Sequence, residues 1–396
     1  MIGSHELKKR DRYLKKLISF QDTEPVKVIT GIRRCGKSSL LKLMVAHLKE
    51  IGVSPEHIVE MNFESHDFRN MTSDDVYDYV KERTVPGKRM YLFFDELQRI
   101  EKWEDAINAF RVDLDCDIYV TGSNAYLLSS EYSTYLSGRC VEIKMLPLSF
   151  REFLSFHDFE VRETQSALGG LHRQVFDKNG ERYELREVFD AFMRFGGMPG
   201  IADVGLDQEK ALTLLDGIYS TVVVRDILER EKRRGQRQIT DPVLLRKIIL
   251  FLSDNIGSSV SISSIGNTLM NEGLLEDGKR KGTPSVHTVQ AYVNALMESY
   301  FFYEIKRFDI KGKEYLRTLG KYYIVDIGLR NYLLGFRNRD SGHAIENIVY
   351  FELLRRGYDV AIGKIDNAEV DFIATSADDK KYIQVTAVSY THLRAH

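Results

Sequence analysis

At 396 residues the chain exceeds what one hydrophobic core usually supports, so two or three domains are expected. With 43% hydrophobic and 29% charged residues it reads as globular, which excludes disordered and fibrous classes. A formal net charge of −2 excludes a globally basic nucleic-acid binder, so any basic surface must be local.

Residues 1–25 include "HELKKRDRYLKKL", an amphipathic charged helix without an apolar secretory core. Nowhere do 18 apolar residues run together, so a cytoplasmic protein with no membrane partner is expected. Cys35, Cys116 and Cys140 share no CxxC spacing, which points to a reducing compartment and away from structural zinc.

From residue 26 to 150 strands alternate with helices: "VKVIT", "KSSLLKLMVAHLKE", "IVEMNF", "RMYLFFDE", "WEDAINAFRV" and "CDIYVTGS". Near-continuously apolar strands in such alternation predict a parallel sheet covered on both faces. Within it, "TGIRRCGKSSLL" sets Gly31, Gly36, Lys37 and Ser38 in the GxxxxGKS spacing, directly between a strand and a helix. Glycines let the backbone turn its N–H groups toward phosphates, and the helix N-terminus adds positive potential. The candidate ATP-binding residues are therefore Gly31, Ile32, Arg33, Arg34, Cys35, Gly36, Lys37, Ser38 and Ser39, with Lys37 reaching the β- and γ-phosphates and Ser38 ligating Mg²⁺.

"YLFFDEL" ends a buried strand in Asp95 and Glu96. Asp95 is the second candidate for the Mg²⁺ shell, and Glu96 is the candidate to polarise the attacking water. The strand "DIYVTGSNA" ends in small polar residues that could bond the γ-phosphate or the water, Ser123 first and Asn124 second. In "YLSGRCVEIKMLPLSFREF", Arg139 is a candidate to contact a phosphate in a neighbouring subunit, with Arg194 and Arg225 competing for related roles.

Residues 151–240 lack strand signals and read as helices interrupted by the turn "RFGGMPG", a helical lid. Residues 241–325 show three helices followed by the aromatic, basic strands "YFFYEIKRFD" and "EYLRTLGKYYIVD", the order of a winged helix. Residues 326–386 give a helix and the strands "YDVAIG", "AEVDFIA" and "KYIQVT". The last ten residues, "AVSYTHLRAH", continue no pattern and read as a non-native tail beyond a truncated unit.

The combination "ITGIRRCGKSSLL", "LFFDELQ", "VTGSNAYLLSSE" with "LSGR", "PLSFREF" and "FGGMP" resembles the bacterial and archaeal AAA-type ATPases that carry an uncharacterised C-terminal domain, from about residue 5 to residue 386. The resemblance implies an α/β chain: a P-loop NTPase parallel sheet with a helical lid, then a winged-helix domain and a small, degenerate α/β nuclease-like domain. Arg33 and Arg34 match that family's loop, where they would bind phosphate, stiffen the loop or pair with acids elsewhere.

Between Lys306 and Lys321 six basic residues face two acidic ones, interleaved with Phe308 and Tyr315 and followed by Tyr322 and Tyr323. With the basic run 279–281, this predicts a wing that suits a DNA backbone. The candidate recognition helix "SVHTVQAYVNALMES" has no Arg or Lys, so a protein-docking role stands beside DNA contact. A nuclease site would need an acid on one strand and a Glu-x-Lys on the next converging on a metal, with a further acid completing the oxygen ligands. Asp371 and Glu346 supply acids, but the last strand reads Gln384, Val385, Thr386, so no cutting is expected.

The expected function is an ATPase that uses Mg·ATP hydrolysis to move its C-terminal DNA- or protein-binding units, as a homo-oligomer if Arg139 acts in trans. The alternatives are a nucleotide-gated DNA- or protein-binding switch with negligible turnover and an ATP-regulated nuclease.

Overall fold

The computed structural model describes residues 7–125, 138–165, 171–229, 239–271, 284–309, 314–337, 340–365 and 368–386. The chain divides into two compact units, Met1–Met145 and Leu146–His396.

The first unit runs α1 (Asp11–Ser19), β1 (Val26–Thr30), α2 (Lys37–Glu50), β2 (Ile58–Asn62), α3 (Ser73–Lys81), β3 (Met90–Asp95), α4 (Trp103–Asp113), β4 (Cys116–Gly122) and β5 (Cys140–Lys144). All five strands are parallel, in the order β2-β3-β4-β1-β5. Helices cover both faces of such a sheet, so β1 and β3 are buried along their whole length, as their apolar runs require. One side of the core stacks Phe94 on Phe110 and the other Phe93 on Tyr119. Lys27 breaks the apolar run of β1 and is fully buried, but its ammonium pairs with Asp117 of β4 and donates to the Thr23 carbonyl at 2.7 Å. Asp117 is completed by the Tyr119 hydroxyl at 2.8 Å and the Asp22 N–H at 2.8 Å, so no charge is stranded. Because β4 lies between β1 and β3, the segments leaving the carboxyl ends of all three strands come together at one edge.

The second unit begins with α5 (Phe150–Phe156), whose N-terminus is fixed by a Ser149–Glu152 capping box. It continues through β6 (Glu160–Gln165), β7 (Leu171–Phe176), β8 (Arg182–Glu184), α6 (Leu185–Phe195), α7 (Ile201–Val204), α8 (Gln208–Ser220) and a π-helical stretch, Thr221–Glu229. The expectation of an all-helical segment over 151–240 is corrected here: β6, β7 and β8 form an antiparallel three-stranded sheet. These strands give little apolar alternation because their exposed side chains pair along the sheet, Arg162 with Glu160 and Arg173 with Glu163, while Val175 supplies the fully buried contact to Phe153 and Phe192.

Next come α9 (Pro242–Asp254), β9 (Ser259–Val260), α10 (Ile262–Asn271), α11 (Val286–Glu298), β10 (Phe302–Asp309), β11 (Glu314–Ile324), α12 (Ile327–Leu334), α13 (Ser341–Arg355), β12 (Asp359–Ile365), β13 (Ala368–Thr375) and β14 (Lys380–Ile383). The six strands make one sheet in the order β14-β13-β12-β10-β11-β9. The hairpin read as part of one domain and the strands read as another are joined by parallel pairing of β10 with β12, Arg307 opposite Ile362. Local periodicity carries no signal for which strand a neighbour pairs with, so this continuity was invisible in the sequence.

Four stretches of the second unit's sequence, at residues 147–148, 197, 326 and 355, are linked by hydrogen bonds. The Leu148 N–H donates to the Gly197 carbonyl at 2.6 Å, and the Gly197 N–H donates to the Asp326 carboxylate at 2.6 Å. Arg355 donates to the Pro147 carbonyl at 2.9 Å. Glycine is required at 196, where φ is +78° and an added Cβ would lie 2.2 Å from Asp326. Among the described residues no helix is long and apolar enough to cross a membrane.

Candidate functional site

The loop after β1 is held by its surroundings as much as by its own turn. Gly31 has φ +142°, and a Cβ there would lie 2.1 Å from the Met145 carbonyl oxygen, so the close approach admits only glycine. Gly36, with φ +102°, closes the loop as α2 begins. The buried Cys35 thiol sits 3.5 Å from the Met145 carbonyl, and burial pushes its pKa up. Its own carbonyl accepts from Arg10, a 3%-exposed arginine just before α1. The Lys37 ammonium donates to the carbonyls of Gly31 at 2.9 Å and Ile32 at 3.2 Å, spanning the loop. Ile32 is buried, Ser38 half-buried, and Arg34 and Ser39 exposed.

The two carboxylates leave β3 beside this loop. Asp95, 8% exposed, accepts from the Thr121 hydroxyl at 2.6 Å and the Asn62 amide at 3.3 Å, and hydrogen-bonds the Ser38 hydroxyl. Burial raises its pKa despite those bonds. Glu96 follows in the left-handed region, φ +57°, with its N–H on the same Thr121 hydroxyl at 2.9 Å. One oxygen of its carboxylate, Oε2, accepts from Gln98 at 2.6 Å and Ser123 at 3.3 Å, and lies 4.0 Å from Arg33. Arg33 also pairs with Glu64, whose same oxygen accepts from Arg99 at 2.9 Å.

The structure thus brings Lys37, Ser38, Asp95, Glu96, Ser123 and Arg33 into one set of contacts. Asn124 is buried at the end of β4. Arg139 is not part of this set: its carbonyl accepts from Val26 at the start of β1, whereas the loop leaves the far end at Thr30. Arg194, in the second unit, stacks its guanidinium 5.4 Å from the Phe336 ring centroid, and the side chain of Arg225 lies outside the described residues. Sequence reasoning missed Arg10, Glu64, Gln98 and Thr121. Gln98 stood inside the motif "LFFDELQ" and Thr121 inside "VTGS", but Arg10 and Glu64 carry no spacing signal.

The donor set suits the group it would hold. A serine hydroxyl and a carboxylate already in contact offer hard oxygen ligands of the kind Mg²⁺ takes, beside a loop with an ammonium at its mouth.

The second unit departs from the sequence expectation of a basic aromatic wing. Lys321, Tyr322 and Tyr323 are buried, and Lys321 pairs with Glu369 at 2.8 Å and Glu346 at 3.2 Å. Arg307 pairs with Glu369 at 3.3 Å, leaving Lys306 as an exposed cation on β10. The side chains of Lys311, Lys313, Tyr315 and Arg317, and residues 279–281, lie outside the described residues, as does the tail 387–396.

Nor do the nuclease candidates converge on an open acidic site. Glu346, 9% exposed, accepts from Lys321 and from the Tyr323 hydroxyl at 2.6 Å. Asp371 accepts from the Gln384 side-chain amide at 2.7 Å and the Val385 N–H at 2.8 Å, so the glutamine presents a donor rather than a metal-ligating oxygen. Among the described residues no group of three or more His, Cys, Asp or Glu could hold a metal.

Residues 23–154 match the model of an AAA domain, and residues 186–340 match a domain of unknown function, DUF8612. The chain is 39% identical over 378 residues to a protein of Haemophilus influenzae described as uncharacterized, covering 95% of this chain and 86% of that one. It is 31% identical over 368 residues to the uncharacterized protein MJ1544 of Methanocaldococcus jannaschii, covering 91% of this chain and 74% of that one. Among solved structures, the Walker-type ATPase PABY2304 of Pyrococcus abyssi superimposes with a TM-score of 0.52 at 17% identity, covering 82% of this chain and 95% of that one, a likeness of fold. The chain therefore belongs to one family with the Haemophilus influenzae and Methanocaldococcus jannaschii proteins, and its first unit carries an AAA-type P-loop nucleotide-binding domain.

Proposed function

We propose that the first unit binds Mg·ATP and hydrolyses it. The observation that carries this reading is the Thr121 hydroxyl, which bonds both the Asp95 carboxylate and the Glu96 N–H and so sets the two acids side by side, next to Ser38. Residues 31–39 would bind the phosphates, with Lys37 exchanging its two loop carbonyls for phosphate oxygens. Ser38 and Asp95 would hold Mg²⁺, which when bound neutralises charge on the phosphates. Glu96 accepts the proton of the attacking water, and Ser123 and Gln98 orient its carboxylate. The amide oxygen of Gln98 is buried without a protein partner, which leaves an acceptor for that water's second proton.

Turnover would drive movement of the second unit, where the run α9, β9, α10, α11, β10, β11 follows a winged-helix order, with the helices α6 to α8 before it acting as a lid. The residues Val286, His287 and Asn294 of α11 are exposed and would present the surface for a DNA or protein partner. Arg139 would act on a neighbouring copy. A nucleotide-gated switch with little turnover is the second reading, favoured by the three groups gathered around one oxygen of Glu96.

Phosphate release and binding of a fluorescent ATP analogue test these readings together. Lys37→Ala should lose both, and Glu96→Gln should keep binding while release falls at least about a hundredfold. Binding with negligible release by the unaltered protein would select the switch. Undiminished release in both variants would sink the assignment.

A further inference from the structure

We infer that Arg33 is a specificity-determining binding residue that exchanges the carboxylates of Glu64 and Glu96 for the terminal phosphate of a nucleoside triphosphate. The inference rests on the nucleotide-binding reading above and assigns a role within it.

Arg33 lies in the phosphate loop itself, four positions before Lys37, and its side chain is only 12% exposed. One guanidinium nitrogen pairs with Glu64 Oε1 and the other lies 4.0 Å from Glu96 Oε2. A guanidinium fork fits a phosphate as well as it fits carboxylates, so phosphate in the loop competes directly for the same donors. The exchange is arranged to strand no charge. Glu64 Oε1 also accepts from Arg99 at 2.9 Å, so it stays paired when Arg33 departs. Glu96 Oε2 keeps Gln98 and Ser123. Glu64 is itself fixed, its N–H donating to the Asn62 side chain at 2.8 Å, and the Asn62 amide reaches Asp95. The acid that restrains Arg33 is thereby tied to the candidate metal ligand.

The consequence is discrimination between nucleotides. Arg33 adds a charge-assisted bond to a third phosphate and none to a diphosphate, while Glu64 opposes that transfer.

The test is competition of ATPγS and ADP against a fluorescent nucleotide, with the full chain and Mg²⁺ present. Arg33→Gln should weaken ATPγS at least about tenfold and leave ADP within about twofold. Glu64→Gln, by removing the competing carboxylate, should tighten ATPγS relative to ADP. In the double variant the gain from Glu64→Gln should vanish. A merely structural Arg33 would weaken both nucleotides alike, and that result, or weaker ATPγS binding by Glu64→Gln, would overturn the inference. Failure of the unaltered protein to bind either nucleotide would instead remove the nucleotide-binding reading on which it stands.

Discussion

The Asp326 carboxylate is buried at the start of α12 and accepts the N–H groups of Gly197, Gly328 and Leu329. Burial pushes its pKa up to about 6, outweighing those bonds and the nearby Arg355. A raised carboxyl pKa means that the fold favours the protonated acid. Its contribution to stability is therefore fully present below the ordinary value of 3.8 and is lost as pH rises through about 6. A shift of that size corresponds to about 3 kcal/mol. Urea titrations of the unaltered protein and Asp326→Asn should show the stability difference moving toward the variant by up to that amount between pH 4 and 7, other groups cancelling in the comparison. A difference constant with pH would show that the carboxyl is not raised. At this scale the sequence was uneven. Gly31, Gly36, Lys37 and Ser38 could be picked out because their spacing reports a backbone shape. Asp326 could not, because its partners lie 129 residues upstream, at Gly197, and in the following turn. Arg33 was legible as a loop residue and Glu96 as a catalytic candidate, but the pairing of Arg33 with Glu64 was not.

Between elements, Lys321 joins β11 to α13 through Glu346 and to β13 through Glu369. Burial pulls its pKa down, yet the two carboxylates outweigh burial and hold it above the usual lysine value. Lys321→Met should destabilise the second unit by about 3–5 kcal/mol, because Glu346 is left buried beside an apolar side chain. Adding Glu346→Gln should return a substantial part of that loss, and denaturant midpoints of the two variants measure it. Equal midpoints for the single and double variants would mean that the stranded carboxylate is not the cost. The basic run containing Lys321 was read as surface because a sequence displays charges without their partners. The strands of the first unit were readable for the opposite reason: burial on both faces makes them uniformly apolar, whereas β6 and β7 satisfy their polar side chains across the sheet and mimic solvated helix or loop.

At the level of the whole chain, the parallel pairing of β10 with β12 makes the C-terminal sheet one continuous structure, which should unfold as a unit. Ending the chain after Val325 would expose the β10 edge and remove Asp326, α12 and α13, the helix that supplies Asn347 to the Ile324 backbone. Hydrogen exchange should then find the amides of β10 and β11 unprotected in the truncated protein, while the first unit keeps its protection. Protected β10 and β11 amides in that fragment would show that the helices and hairpin fold without the last three strands, as the sequence alone suggested.

The burial of Cys35 against the Met145 carbonyl reaches into chemistry that the nucleotide site does not use. Cys116 and Cys140 are half-buried, and burial lifts all three thiols above their ordinary pKa. Little thiolate exists at neutral pH, and thiolate is the species that oxidants and alkylating reagents attack. Burial therefore disfavours the reactive thiolate at Cys35, although the residue lies in the phosphate loop. The three buried or half-buried thiols also leave a quiet background on which one introduced surface cysteine would carry a spectroscopic label.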